Sequence, residues 1–368
     1  MKFSIHRDLL LSALQKTQSV VEKKNTVQIL SNILCSVQDQ QLSISATDLE
    51  VGIKIALPLE TGSDGKVTIP AKQLLDIVKE LPSKTIQVQK KENHWVEIVC
   101  GKSKFNVVSL SAESFPPLPL FEEKNYTAAK SSALKGMIDR TAFAVSTDAT
   151  RYHLNGVFFE PLENNLFRMT ACDGHRLSFE DQEVFQKTMD LKRGIIIPRK
   201  GLMELRKVLD EVGETIDLSF EKGNLFARSP GIFLSVRLIE GEYPNYRMAI
   251  PQTVDRLVHI HREELNSALK RVALLANEKS KSVKLSFQTQ NLIITSSNPD
   301  KGEAREELPI EYQGDPIEIG FNAEYLLDYL SVIDVGVLDF QFKDKMSSGI
   351  LRESGKQHHT YVVMPMRV

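Results

Sequence analysis

A chain built from internal copies of itself must fold as repeated units, and this one carries three copies. Residues Ile5–Leu14 and Ile260–Leu269 match at seven of ten positions, including Ile5-His6-Arg7 with Ile260-His261-Arg262 and Ser12-Ala13-Leu14 with Ser267-Ala268-Leu269. A weaker middle copy runs from Lys130 through Ile138 and on to Asp139-Arg140-Thr141-Ala142, so the copies recur at about a third of the chain. A second triplet keeps the same period: Val67-Thr68-Ile69-Pro70-Ala71, Ile195-Ile196-Ile197-Pro198-Arg199 and Ile319-Gly320-Phe321-Asn322-Ala323. Each is a short apolar run leading into a helical pattern. Pro70 and Pro198 sit at the strand-to-helix junction, where a missing N–H costs little, and Phe321 is expected to hold that place in the third copy.

Every repeat therefore supplies two helices with strands between them. Gln41–Thr47, Thr215–Phe220 and Val283–Phe287 alternate at period two, and Gly62-Ser63-Asp64-Gly65 and Glu221-Lys222-Gly223-Asn224 read as turns between strands. Boundaries are expected at the proline-rich Phe115–Pro119 and near Pro251-Gln252-Thr253. The expected fold class is α+β, with three similar domains at 1–121, 122–252 and 253–368.

At 368 residues the chain is long enough for two or three cores. Hydrophobic residues are 42% and charged residues 26%, the balance of a globular protein and not of a disordered one. No apolar run approaches the roughly 20 residues that span a bilayer, and Met1–Asp8 lacks a secretory apolar region, so a cytoplasmic location is expected. Cys35, Cys100 and Cys172 lie far apart and are odd in number, which argues for reduced thiols over a disulfide framework or zinc knuckle.

Net charge is only −2, yet it is unevenly placed. The helical segments 6–24, 71–84, 129–142, 192–207, 262–281 and 322–333 carry +2, +1, +2, +5, +2 and −2, or +10 together, leaving −12 for the rest. Basic helices on an otherwise acidic protein suit contact with phosphates, which carry no sequence information. The same charges equally suit ordinary solvated helix faces. Lys23, Lys24, Arg199 and Lys200 are the phosphate-contact candidates from charge alone.

Signals for catalysis are weak. Asp173-Gly174-His175 has no nucleophile elbow or phosphate loop to accompany it, and His259-x-His261 and His358-His359 lack an evident third metal ligand. No enzyme, cofactor or metal is expected. Two rival classes stay open on residues alone: a metal-dependent nuclease, which would need clustered carboxylates where these are dispersed, and a pure peptide-binding scaffold. Met364-Pro365-Met366, read by itself, is a terminal strand completing a core.

Five stretches together resemble one family across the whole chain: Thr150–Val157, Cys172–Leu177, Gly241–Arg247, Gly320-Phe321-Asn322 and Tyr361–Val368. They are similar to the bacterial DNA polymerase III beta subunits, the sliding clamps. The resemblance implies three tandem clamp folds per chain and a head-to-tail homodimer forming a six-domain ring, with helices lining the hole and antiparallel sheets outside. It implies a non-enzymatic processivity factor that encircles duplex DNA and tethers the replicative polymerase. It also implies short linear motifs as ligands, from the polymerase, the clamp loader, and other polymerases and repair proteins.

Three sets of residues follow from the resemblance. The cleft for short peptides maps to Leu154, Cys172, Gly174, His175, Arg176, Leu177, Pro244, Arg247, Met248, Asn322, Tyr325, Met346, Ser348, Val362, Val363, Met364, Pro365, Met366 and Arg367. Aliphatic and Met side chains would form an adaptable groove, with Arg and His holding peptide polar groups. Cys172 stands where the family often has Thr, Met248 where a second Arg can follow Arg247, and Ser280 where an aromatic can occur. The subunit contact maps to Lys102 and Lys104 facing Asp300, Glu303 and Glu306, with Leu274 and Leu275 as its apolar centre and Arg305 as a basic exception. Arg151, Tyr152 and His153 match a loop that touches DNA.

Overall fold

The computed structural model describes residues 1–21, 27–119, 126–187, 189, 191 and 193–367. Among the described residues six α-helices recur in pairs: α1 (Arg7–Thr17), α2 (Ala71–Glu80), α3 (Ser131–Thr141), α4 (Arg199–Leu209), α5 (Arg262–Ala273) and α6 (Ala323–Val332). Each buries one stripe. In α1 it is Leu10, Ala13, Leu14 and Thr17, in α2 Ala71, Leu74, Leu75 and Val78, and in α5 Leu265, Ala268, Leu269 and Val272. That i, i+3, i+4, i+7 spacing makes one apolar face per helix, which packs on a sheet.

The junction in the third copy differs from expectation. Asn322, not Phe321, precedes α6, and its side-chain oxygen accepts from the N–H groups of Glu324 (2.9 Å) and Tyr325 (3.4 Å). Phe321 is the last buried residue of its strand. Asn caps a helix by satisfying orphan N–H groups, where Pro removes the need for one. The second turn is as expected, with Lys222 and Gly223 both at positive φ (48° and 73°) in a two-residue hairpin joining Thr215–Glu221 to Asn224–Ser229, whereas Gly62 and Ser63 belong to the edge strand Thr61–Ser63, which pairs with Lys2–Ser4.

The helices are shorter than the segments used to count charge. Over the six helices as they stand the formal charges are +1, 0, +1, +3, +1 and −2, so the excess is +4 and not +10. Lys84, Lys130 and Arg193 lie outside helices, and Lys23 and Lys24 lie outside the described residues.

The chain divides into two compact units, Met1–Ser131 with Phe185–Met189 and Lys200–Leu238, and Ser132–Val184 with Asp190–Arg199 and Ile239–Val368. The division cuts the middle repeat because sheets form across repeats. In the first unit an eight-stranded sheet runs in the order 127–130, 215–221, 224–229, 232–237, 51–58, 41–47, 32–38, 65–70. Its seam is antiparallel pairing of Ile232–Arg237 with Val51–Pro58, with Leu234 opposite Ile53. In the second unit the order is 195–198, 156–161, 167–172, 176–182, 359–363, 349–353, 337–342, 256–261, and the seam sets Ser178 opposite Tyr361. Each unit also holds a smaller sheet: 61–63, 2–6, 85–90, 95–100, 103–108 in the first and 302–309, 291–298, 282–288, 317–322 in the second.

A buried charge cluster pins the second seam. Arg140 on α3 reaches Glu180 (Nη1 to Oε1, 3.3 Å) and Glu353 (Nε to Oε1, 3.5 Å), one carboxylate on each side of the seam, and neither carboxylate is more than 1% exposed. His359, whose Nδ1 lies 3.9 Å from Glu353, together with Lys356 at 2.6 Å and Arg140, holds the Glu353 carboxyl down at about 2. Such a group stabilises the fold fully above the ordinary glutamate range and loses that effect as pH falls toward 2. Glu353→Gln is expected to cost about 2–3 kcal/mol at neutral pH by urea unfolding, with the gap from wild type closing below about pH 4.5. A gap that stays constant down to pH 2.5 would contradict this assignment.

Candidate peptide-binding cleft

The seam that joins Arg176–Gln182 to His359–Val363 also builds the cleft, by setting Leu177 beside Val362 and Arg176 beside Val363. Alternation sends Leu177 and Val362 to one face, where they cluster with Phe179, Ile350 and Tyr246, flanked by Phe158, Cys172 and Tyr243. Val363 points the other way into the main core with Tyr361, so it supports the cleft from behind and does not face a ligand. The floor is aromatic: Phe158 stacks on Tyr243 (5.0 Å between centroids, 6° between planes), and Tyr243 meets Tyr246 edge-on at 6.4 Å. These aromatics went unassigned at the sequence level, although Tyr243 and Tyr246 lie inside the Gly241–Arg247 motif.

The rim is set by one aspartate. Asp173 Oδ1 accepts from the N–H groups of His175 (2.8 Å) and Arg176 (2.9 Å), folding the Cys172–Arg176 loop back on itself. It shapes a turn, which accounts for the Asp-Gly-His spacing. Gly174 sits at φ +91°, and a Cβ there would come within 2.6 Å of the Arg151 guanidinium, so two constraints select glycine. The loop leaves His175 exposed, 6.4 Å from the Tyr325 ring.

Arg176 is held rather than free. Its guanidinium donates to Asp173 (3.0 Å), Asp328 (2.6 Å) and the Phe143 carbonyl (2.9 Å), and lies 4.4 Å over the Tyr325 ring. The fork locks α6 against the loop, since one planar guanidinium fixes the directions of all three acceptors at once. Burial pushes the Cys172 thiol above its ordinary range, so it behaves as a small apolar group, and its Sγ accepts from Gly174 N–H at 3.3 Å.

The C-terminal tail forms the far wall. Met364 N–H donates to the His175 carbonyl (2.9 Å) and Met366 N–H to Gly320 (2.8 Å), which pulls the tail across the strand leading to Asn322. Met364 is 47% exposed and Met346 66% exposed, with Pro365 and Met366 half-buried and Arg367 out in solvent. The tail thus closes a groove, and does not vanish into a core as its composition alone suggests. Ser348 is half-buried in the wall of a trough with Met346 and Met364–Arg367. Met248 is 83% exposed and Pro244 exposed, while Arg247 pairs with Glu160 (2.9 Å) over the Tyr246 ring. Leu154 is buried, its carbonyl accepting from Ser146. Ser280 is half-buried and bonds Ser282 at 3.0 Å.

Residues in the other two sets are placed less uniformly. Arg151 and Tyr152 are exposed on the short 3-10 helix Ala149–Leu154, with His153 half-buried against Tyr152, and Arg199 is exposed at the start of α4. Lys200 is ion-paired with the buried Asp48, which takes it away from phosphate. Lys102 and Lys104 are exposed, and Lys104 already pairs with Glu97. Glu306 is held bidentately by Arg271 (2.7 and 2.7 Å), and Arg305 pairs with Glu307. Asp300 and Glu303 are exposed, Leu274 is 74% exposed and Leu275 half-buried. The expected Lys-to-Glu attraction therefore rests on Lys102, Asp300 and Glu303. Charge counting missed Phe105 and Val108, which stand exposed on the strand Ser103–Val108 and give that edge an apolar character. His259 is engaged with Asp339 at 2.8 Å.

Comparison with known proteins agrees along the whole chain. Residues 1–119, 128–245 and 247–367 match the N-terminal, central and C-terminal domain models of the DNA polymerase III beta subunit. The beta sliding clamps of Pseudomonas aeruginosa, Caulobacter vibrioides and Vibrio cholerae are 36%, 35% and 32% identical, each match covering 100% of both chains. Crystal structures of the beta subunit from Pseudomonas aeruginosa and of a Bartonella birtlesii sliding clamp bound to griselimycin are similar over 100% of both chains, with TM-scores of 0.92 and 0.95 at 36% and 32% identity. With three clamp domains in order and an apolar cleft between the seam strands and the tail, this chain belongs to the DNA polymerase III beta subunit family, the beta sliding clamps.

Proposed function

We propose that two copies of this clamp close head to tail into a ring around duplex DNA, with the domains at 1–121, 122–252 and 253–368 repeated once per subunit. The observation that carries this reading is an asymmetry in the sheets. At both seams, the third strand after a repeat's first helix pairs with the last strand of the next repeat. Two strands in those same positions have no such partner within the described residues: Gly302–Pro309, which corresponds to Val51–Pro58, and Ser103–Val108, which corresponds to Ile232–Arg237.

Open strand edges present rows of unpaired N–H and C=O groups, and pairing one copy's 103–108 with the other's 302–309 satisfies both. The correspondence sets Phe105 opposite Ala304, as Leu234 stands opposite Ile53. The interface is heterologous, so it forms a closed ring only because the rotation completes a circle. Leu274 and Phe105 supply apolar area, and Lys102 with Asp300 and Glu303 supplies opposite charge. The helices offer backbone-phosphate contact without base reading, led by Arg199 and the Arg151–His153 turn. Retention on DNA is then topological.

The cleft takes short segments of the replicative polymerase, the clamp loader and repair proteins, anchoring apolar side chains over Leu177 and Val362. The protein acts as a tether and catalyses no reaction. Among the described helices none is long and apolar enough to cross a membrane.

Light scattering is expected to give about twice the 41.5 kDa of one chain. Leu274→Glu combined with Phe105→Glu is expected to give monomers with unchanged circular dichroism, and a double variant that stays dimeric would refute this edge. Loaded protein is expected to slide off linear DNA and stay on a closed circle. Equal loss from both would exclude a ring, and metal-dependent cleavage would favour a nuclease. Removal of Met364–Val368 is expected to weaken binding of an apolar peptide at least tenfold while leaving the dimer intact; unchanged affinity would exclude the assigned cleft.

A further inference from the structure

Beyond Met364–Arg367 the groove does not end. It opens into a trough of about 1410 Å³ over the outer face of the sheet 302–309, 291–298, 282–288, 317–322. Its character changes there from apolar to polar, because the outward positions of these strands are Ser, Thr, Lys, Arg and Glu. The trough is also polarised along its length. Lys284 is neutralised by Glu318 at 3.2 Å and Arg305 by Glu307. Lys345 and Arg367, at the end beside the tail, have no ion-pair partner among the described residues.

Lys345 is presented by design of its turn. Asp344 Oδ1 accepts from Met346 N–H (2.9 Å), Ser347 N–H (2.9 Å) and the Ser347 hydroxyl (2.9 Å), and these bonds hold the Asp344 carboxyl below its ordinary range. The ionised aspartate ties its oxygen to the turn, and Lys345 stands exposed next to the exposed Met346 of the cleft.

We infer that this trough is a second recognition zone, which takes an acidic segment directly flanking the apolar anchor of a clamp-binding peptide. The inference rests on the cleft reading above. Charge complementarity selects the occupant: Lys345 and Arg367, which have no ion-pair partner among the described residues, lie where the peptide leaves the apolar floor. The zone therefore grades partners by what flanks their anchor, and it does so in a salt-sensitive way, because exposed pairs are screened.

The test uses fluorescence anisotropy with the full-length dimer and three blocked peptides sharing one leucine and phenylalanine anchor. One carries Gly-Ser spacers, one has Asp-Glu tetrads in place of the spacers, and one has Lys-Arg tetrads. The acidic peptide is expected to bind about five- to tenfold tighter than the neutral one at 50 mM salt, with the gain falling at 300 mM. In Lys345→Glu that gain is expected to disappear while the neutral peptide keeps its affinity. Equal binding of acidic and neutral peptides, or a preference for the basic one, overturns the trough and leaves the cleft standing. Failure of the neutral peptide to bind wild type overturns the cleft itself.

Discussion

Backbone pairing at strand edges governs this molecule. A four-stranded half-sheet cannot leave its edge bare at little cost, since each edge N–H and C=O needs a partner or water. The chain solves this by lending the second half of one repeat to the first half of the one before it. Two eight-stranded sheets result, and both repeat boundaries are stitched by antiparallel hydrogen bonds. The compact units consequently ignore the sequence repeats.

The cleft is a by-product of that stitching. Arg176 and Leu177 reach Val362 and Val363 only because the middle repeat's strand lies against the last strand of the chain. The charged cluster of Arg140, Glu180, Glu353 and His359 fastens the same seam from the helix side. Stability of the cleft and stability of the seam are therefore one property.

Much of this was readable from residues. Period-two alternation located Gln41–Thr47, Thr215–Glu221 and Ser282–Gln288, and the triplicated apolar run located the starts of α2, α4 and α6. Phe321 was misplaced because the Pro70 pattern hides a change of mechanism at Asn322, from a missing donor to a capping acceptor. The charge count overshot because basic residues such as Lys84 and Arg193 flank the helices, which periodicity bounds poorly. Formal charge also says nothing of pairing, so Lys200 with Asp48 and Glu306 with Arg271 looked free. Long-range register, and with it the aromatic floor of Phe158, Tyr243 and Tyr246, has no local signature at all.

The central claim is that Ser103–Val108 and Gly302–Pro309 of two copies form the third kind of seam. Amide hydrogen exchange on the intact protein tests it directly, strand by strand. The account predicts that both strands exchange as slowly as Ile232–Arg237 at concentrations where the dimer forms, and speed up together on dilution to monomer. Fast, concentration-independent exchange in either strand would contradict it.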